Sequence, residues 1–241
     1  MPSIQIDKSD LAAFGAKWKQ LDGRLKRTPP YSSTELGQLF DKAVGNSLAK
    51  MLGDIPILTP NSEALTPAEP NCVEIGHVRV IGGVRPQRFD VGYRPDGLRF
   101  AFDSKTLNDA KSIMKNWQNM INDIATEATT VHTRFPYAVV AFMVIYPEPC
   151  VGENQRKATI ETLERLARRV SVHNSLHMAE AISLVFWNPD DGTIDPKIPD
   201  PQSPLRLESF SRHVETAYVS RYKGLPPHVV DESQRSLIEE E

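Results

Sequence analysis

The sequence predicts an α/β fold: a central mixed sheet of about five strands with helices on both faces. Three observations predict it. Tyr137–Tyr146 and Ala181–Trp187 are apolar on both faces, the pattern of strands buried in the middle of a sheet. Segments with apolar residues at helical spacing alternate with them. Between residues 88 and 105, two alternating runs flank Pro95-Asp96-Gly97 and read as a β-hairpin. Strand–helix–strand units of this kind bury a sheet between two helical layers. With 241 residues, 40% hydrophobic and 24% charged, the chain has the composition of a globular protein of one large domain or two small ones.

The elements follow in order. Leu11, Phe14, Trp18, Leu21 and Leu25 mark a helix over residues 9–26, stopped by Thr28-Pro29-Pro30. Its basic residues, Lys17 and Lys19 among them, form a solvated face or touch phosphates. A second helix over 33–52 carries Leu36, Phe40, Val44 and Leu48. Glu35 stands near its start, where Ser32-x-x-Glu35 has the form of a capping box. Four prolines make 53–71 an irregular connection. Cys72–Ile81 reads as a strand with Glu74 facing solvent, and the hairpin follows. After Lys105, Thr106-x-x-Asp109 resembles another capping box. It opens a helix from Leu107 to about Thr133, with Lys111 and Lys115 as phosphate-contact candidates. A helix over 154–170, the Ala181–Trp187 strand, a proline-rich loop over 188–206, a helix over Leu207–Tyr222 and a frayed end complete the chain. The expected organisation is an N-terminal helical extension (1–32), a core (33–188), and a C-terminal loop and helix with an acidic tail (189–241).

Composition narrows the function. The net charge is −3 and the pI about 6.1, which is not the profile of a strongly basic nucleic-acid binder. The charge is uneven, however. Residues 76–115 hold eight Lys/Arg against four Asp, and residues 189–241 hold six against eleven acids. Two cysteines, Cys72 and Cys150, make neither a disulfide scaffold nor a zinc site. Met1–Lys8 lacks a signal-peptide core, and the longest apolar run is ten residues, so a cytoplasmic protein with no membrane span is expected. His173-x-x-x-His177 has no third ligand near it in sequence. Asp190-Asp191-Gly192 suits a turn better than a calcium loop. There is no glycine-rich phosphate loop and no nucleophilic serine elbow.

The hairpin carries the chemistry. Phe89, Val91, Tyr93, Leu98, Phe100 and Phe102 are expected on one face; Arg88, Asp90, Gly92, Ala101, Asp103 and Lys105 on the other. A loop at Asp96-Gly97 sets Asp90 directly across from Asp103, and a loop at Pro95-Asp96 sets it diagonal. Two carboxylates about 5 Å apart repel by roughly 3 kcal/mol at an effective dielectric of about 20. A divalent cation removes that cost, and all-oxygen ligation suits Mg²⁺.

Asp90, a spacer of twelve residues and Asp103-Ser104-Lys105 resemble the active-site motif of the PD-(D/E)XK nuclease superfamily. The element order over 33–188 is similar to the core of its restriction-endonuclease-like fold. One departure is that the family's first acid often follows proline, whereas Asp90 follows Phe89; Pro95-Asp96 lies in the turn instead. The Gln and Tyr signature of one exonuclease branch is absent, since Gln118 is followed four residues later by Asn122. The resemblance implies a restriction-endonuclease-like three-layer α/β/α fold. It also implies a Mg²⁺-dependent DNA endonuclease, similar to type II restriction enzymes, acting on double-stranded DNA as a homodimer. Asp90, Asp103 and the Ser104 carbonyl would hold the metal, and Lys105 would orient or deprotonate the attacking water. Glu35 is a further metal-site acid or only a helix cap. Two other readings are a structure-specific repair or recombination nuclease, and a non-catalytic DNA-binding or defence-complex subunit.

Overall fold

Six strands form one sheet whose spatial order follows the chain, in a computed structural model that describes residues 1–23, 34–111 and 113–225. They are β1 (Ile57–Leu58), β2 (Val73–Ile81), β3 (Pro86–Tyr93), β4 (Phe100–Thr106), β5 (Val139–Pro147) and β6 (Ala181–Trp187). β2, β3 and β4 run antiparallel, whereas β1 with β2 and β4 through β6 are parallel. The fold is therefore α/β with a mixed sheet, one strand larger than expected. The additional strand, β1, lies in the proline-rich connection and pairs Ile57 and Leu58 with Val73 and Glu74.

Helices α1 (Lys8–Gln20), α2 (Glu35–Met51), α3 (Ile113–Arg134), α4 (Glu153–Leu166) and α5 (Leu207–Tyr222) cover the sheet. The first two and the last share one apolar core; α3 and α4 share the other. β5 shows why its segment is apolar throughout. Val139, Ala141, Met143 and Ile145 enter the first core, while Val140, Phe142, Val144 and Tyr146 enter the second. On α2, Leu36, Phe40, Val44 and Leu48 form an i, i+4 row that is fully buried. Phe14 packs on Trp187 with ring centroids 5.8 Å apart, and Phe102 meets Phe210 edge-on at 5.9 Å. Residues flanking the 33–188 region thus contribute helices to the same core.

Several boundaries differ from expectation, for local reasons. α3 begins at Ile113, not Leu107, because the segment before it is tied elsewhere. Leu107 donates its N–H to the Ile145 carbonyl, Trp18 donates to the Asn108 carbonyl, and Ala110 donates to Gly23. The Asp109 side chain accepts from the N–H of Lys111. α4 ends at Leu166 rather than near Val170, since Arg168 takes φ 64° and Arg169 turns back to bond Ala179. Glu74 is not solvent-facing: it is fully buried and paired with Arg94 at 2.6 Å. Asp190 and Asp191 form a turn that seats α1 through Lys19 and Lys8. Thr28-Pro29-Pro30, Ser32 and residues 226–241 lie outside the described residues. No helix among the described residues is long and apolar enough to cross a membrane.

Candidate active site

The hairpin opens where its two acids meet. β3 and β4 pair through Tyr93↔Phe100, Gly92↔Ala101 and Val91↔Phe102. Continued one step, this register sets Asp90 across from Asp103, the first of the two expected arrangements, although the loop spans Arg94–Arg99. There the strands part. The Ser104 N–H, which a ladder would give to a β3 carbonyl, donates instead to the Asp90 carboxylate at 2.9 Å, and the Ser104 hydroxyl donates to the same oxygen at 3.1 Å. β4 continues beside β5 as far as Thr106↔Ile145.

On its other side, β3 faces a bulge. The β2–β3 register slips between Ile75 and Val78, so Gly76 and His77 lie against Asp90. Gly76 has φ 132°, a conformation that a side chain would strain. A bulge bends and twists its strand pair. Accordingly Val91 enters the core under α2, while Phe89 enters the core under α3. This corrects the expected single apolar face of the hairpin, and Leu98 also belongs to the α3 side. Asp90 sits at the twist, within reach of both layers.

Two helices complete the site. Toward α3, the Lys105 ammonium contacts the Asp103 carboxylate and lies 2.9 and 2.8 Å from the two oxygens of Glu127. Toward α2, Ser104 meets Gly37 and Asp41. A Cβ at Gly37 would stand 2.8 Å from the Ser104 hydroxyl, so only glycine lets the helix come this close. One oxygen of Asp41, Oδ1, is buried without a hydrogen-bond partner. Asp41, Asp90 and Asp103 line a cleft of about 870 Å³ bounded by α2, the β2 bulge, the end of β4 and the α3 face that carries Asn116, Asn119 and Asp123.

The electrostatics follow from this crowding. Burial, then the neighbouring Asp103, push the Asp90 carboxyl up to about 9, so at neutral pH it is protonated and hydrogen-bonds Asp103. Burial also raises Asp41 to about 7, partly offset by its Ser104 hydrogen bond and reinforced by Asp103. Glu127 rises to about 7 by burial despite the attraction of Lys105. Burial acts to lower the Lys105 pKa, but Asp103 and Glu127 outweigh it and raise it above its ordinary value. Lys105 is thus held as a cation between two acids, placed to stabilise charge or orient a water.

The structure brings together Asp90, Asp103, Ser104 and Lys105. It does not bring Glu35 to them: Glu35 opens α2 on the outer side and pairs with Lys17 at 2.9 Å. The cap position is Thr34, whose side chain makes no capping bond. The sequence reasoning missed Asp41 and Glu127. Asp41 had a signal, since it falls between Gly37 and Gly45 on one i, i+4 row, where small residues mark close approach to the sheet. Glu127 likewise stands seven residues after Met120, on the buried stripe of α3.

Part of the positive count over residues 76–115 is offset within the fold, while Arg85, Lys111 and Lys115 stay exposed. Arg94 is spent on Glu74, Arg99 on Asp96, Arg79 and Arg88 on Glu63, and Lys105 on the cluster. Lys111 and Lys115 are exposed and do not line the cleft. On α5 and just before it, Arg221 and Arg206 turn inward to protein acids and carbonyls. His173 and His177 lie in a loop, not on one helical face.

Oxygen donors and an unpartnered buried carboxylate oxygen have the chemistry of a hard-cation site. Among the described residues no three Asp, Glu, His or Cys side chains are grouped to hold a metal. A cation at the splayed hairpin would therefore rest on Asp90, Asp103 and the Ser104 carbonyl, with water or ligand oxygens beyond. No family model, curated protein or solved structure matches the chain.

Proposed function

We propose that the protein is a Mg²⁺-dependent DNA endonuclease with a restriction-endonuclease-like core, cutting double-stranded DNA in the cytoplasm as a homodimer. One observation carries the reading. Two carboxylates from adjacent strands, Asp90 and Asp103, meet where the hairpin parts, with Ser104 bonded to one and Lys105 to the other. The proton on Asp90 is what an electropositive ligand would displace.

Mg²⁺ held by Asp90, Asp103 and the Ser104 carbonyl would supply Lewis acidity at a phosphate oxygen and acidify a water. In the reaction the water oxygen bonds to phosphorus, one ester P–O bond breaks, and the departing oxygen takes a proton. Lys105 stabilises the charge that gathers on the phosphoryl oxygens. Asp41, near neutrality in its titration, suits the acceptor of the water's proton. Asp41 takes the place proposed for Glu35 on this helix.

A second reading has its own observation. Lys105 already bridges Asp103 and Glu127, which would also describe a self-neutralised structural cluster in a non-catalytic DNA-binding or defence-complex subunit. Incubation with mixed-sequence plasmid and Mg²⁺ separates the readings. Discrete fragments support a restriction enzyme, random nicking supports a repair or recombination nuclease, and no cutting by pure protein supports the non-catalytic subunit.

A further inference from the structure

We propose that Glu127 is a positioning residue for Lys105, giving its ammonium a second anchor when a divalent cation takes Asp103. The inference rests on the reading of Asp103 as a cation ligand. Without a metal the ammonium holds two acids at once, Asp103 from its own strand and Glu127 from α3. All three side chains are largely buried, at 16%, 14% and 7% exposure. The Phe142 ring lies 5.9 Å from the ammonium and closes its other side. The ammonium is thus confined to the space between two carboxylates.

A divalent cation on Asp103 would repel the ammonium from that carboxylate, and a buried charge left alone is strongly disfavoured. Glu127 removes the conflict. Both of its oxygens are already within 2.9 Å of the ammonium, so Lys105 has only to release Asp103. Lys105 and a cation would thus compete for Asp103, and Glu127 sets how readily Lys105 yields. Glu127 also reaches the Asp103 carboxyl, and its role as a second anchor is exerted on Lys105, which a double variant isolates.

Calorimetric titration of the metal-free full chain with Mn²⁺ tests this. Glu127→Gln removes the second anchor and should weaken Mn²⁺ binding about tenfold, the equivalent of one charge-assisted hydrogen bond. Adding Lys105→Met should restore wild-type affinity, because the competing ammonium is gone. Glu127→Asp, which keeps the charge with a shorter reach, should fall between and serves should the Gln variant not fold. Wild-type affinity in both Glu127 variants overturns the inference alone. A double variant as weak as Glu127→Gln also overturns it, by making Glu127 a ligand of the cation itself. If wild type binds no Mn²⁺, the reading of Asp103 falls and takes the inference with it.

Discussion

Two buried ionic clusters in this molecule resemble each other in residue type and differ in balance. One surrounds Glu180, just before β6. Its Oε1 accepts from Arg169 at 2.9 Å and Arg221 at 2.7 Å; its Oε2 accepts from the Val140 N–H at 2.7 Å and lies 3.2 Å from His132. Burial alone would raise this carboxyl, but His132, Arg221 and the other donors bring it below its ordinary value. The cluster at the hairpin is the reverse. Asp103 and Glu127 hold one ammonium, Asp90 and Asp41 crowd against Asp103, and three of the four acids are raised. Burial of charge therefore does not mark the candidate site. Its marks are an excess of one sign and an oxygen left without a partner. The Glu180 cluster joins β5, β6, α3 and α5 and is satisfied; the hairpin cluster lacks positive charge.

The largest effect expected from this contrast is at Glu180. Glu180→Ala leaves two guanidinium groups buried without their acid and should cost about 3–5 kcal/mol, the usual penalty for breaking a buried pair. Urea unfolding with and without Mg²⁺ should give the same loss. A loss that Mg²⁺ repairs would make the two clusters one system.

Next is the pH dependence. Asp41, Asp90 and Glu127 hold their protons in the folded state up to about 7, 9 and 7, but lose them near 4 when unfolded. Between pH 4 and these values the folded state binds more protons than the unfolded state, so stability falls as pH rises. Each group contributes at most about 1.4 kcal/mol per pH unit, so the slope is steepest between pH 5 and 7, at up to about 4 with all three contributing, and falls to about 1.4 from 7 to 9, where only Asp90 still contributes. Asp90→Asn should flatten the upper part. Stability that instead rises through this range, measured by unfolding at fixed salt, would contradict the excess of acid in the cleft. Glu180 has the opposite sign, and its contribution is lost only as pH falls below the ordinary carboxylate range.

A smaller effect is expected at Asp103. Asp103→Asn relieves repulsion with Asp41 and Glu127 but alters the hydrogen bond with Asp90, while Lys105 keeps Glu127. Metal-free stability should change by less than about 1 kcal/mol, and cleavage should be abolished. Mg²⁺ should raise the melting temperature of wild type and not of the variant. A variant that melts far below wild type in EDTA, with equal Mg²⁺ effects on both, would make the Asp103–Lys105 contact structural.

Much of the architecture was legible because burial on two faces and helical spacing are properties of contiguous sequence. Tyr137–Tyr146 and Ala181–Trp187 became β5 and β6, and Leu207–Tyr222 became α5. The hairpin register was legible as two alternatives, since hairpin pairing is local, and the structure takes the one that sets Asp90 across from Asp103. What was not legible depends on contacts distant in sequence. Glu74 looked like a solvent acid until Arg94 met it across β2 and β3. The split of Phe89 from Val91 required the Gly76–His77 bulge, which no alternation pattern on β3 records. The two missed acids each lie on an apolar helical stripe, where a polar residue reads as an irregularity until the strand beneath it is known.

The smallest expected effect separates Glu35 from Asp41, six residues apart on one helix. Six residues turn the helix by about 240°, so the two side chains leave it in different directions. Glu35 forms a partly exposed pair with Lys17, at 47% and 35% exposure. Such pairs contribute about 0–1 kcal/mol, so Glu35→Gln should change stability by no more than about 0.5 kcal/mol and leave cleavage intact. Asp41→Asn places a neutral group where burial already favours the neutral acid, so stability near pH 7 should also change little. If Asp41 accepts the proton of the attacking water, however, the same variant should lose about 10²–10⁴-fold in cleavage rate. The two variants therefore share a stability result and part on activity. Paired measurements of unfolding and plasmid cleavage read both. Loss of cleavage in Glu35→Gln with an active Asp41→Asn would return the role of α2 to its first residue, and with it the site would have to close over the outer surface rather than the cleft.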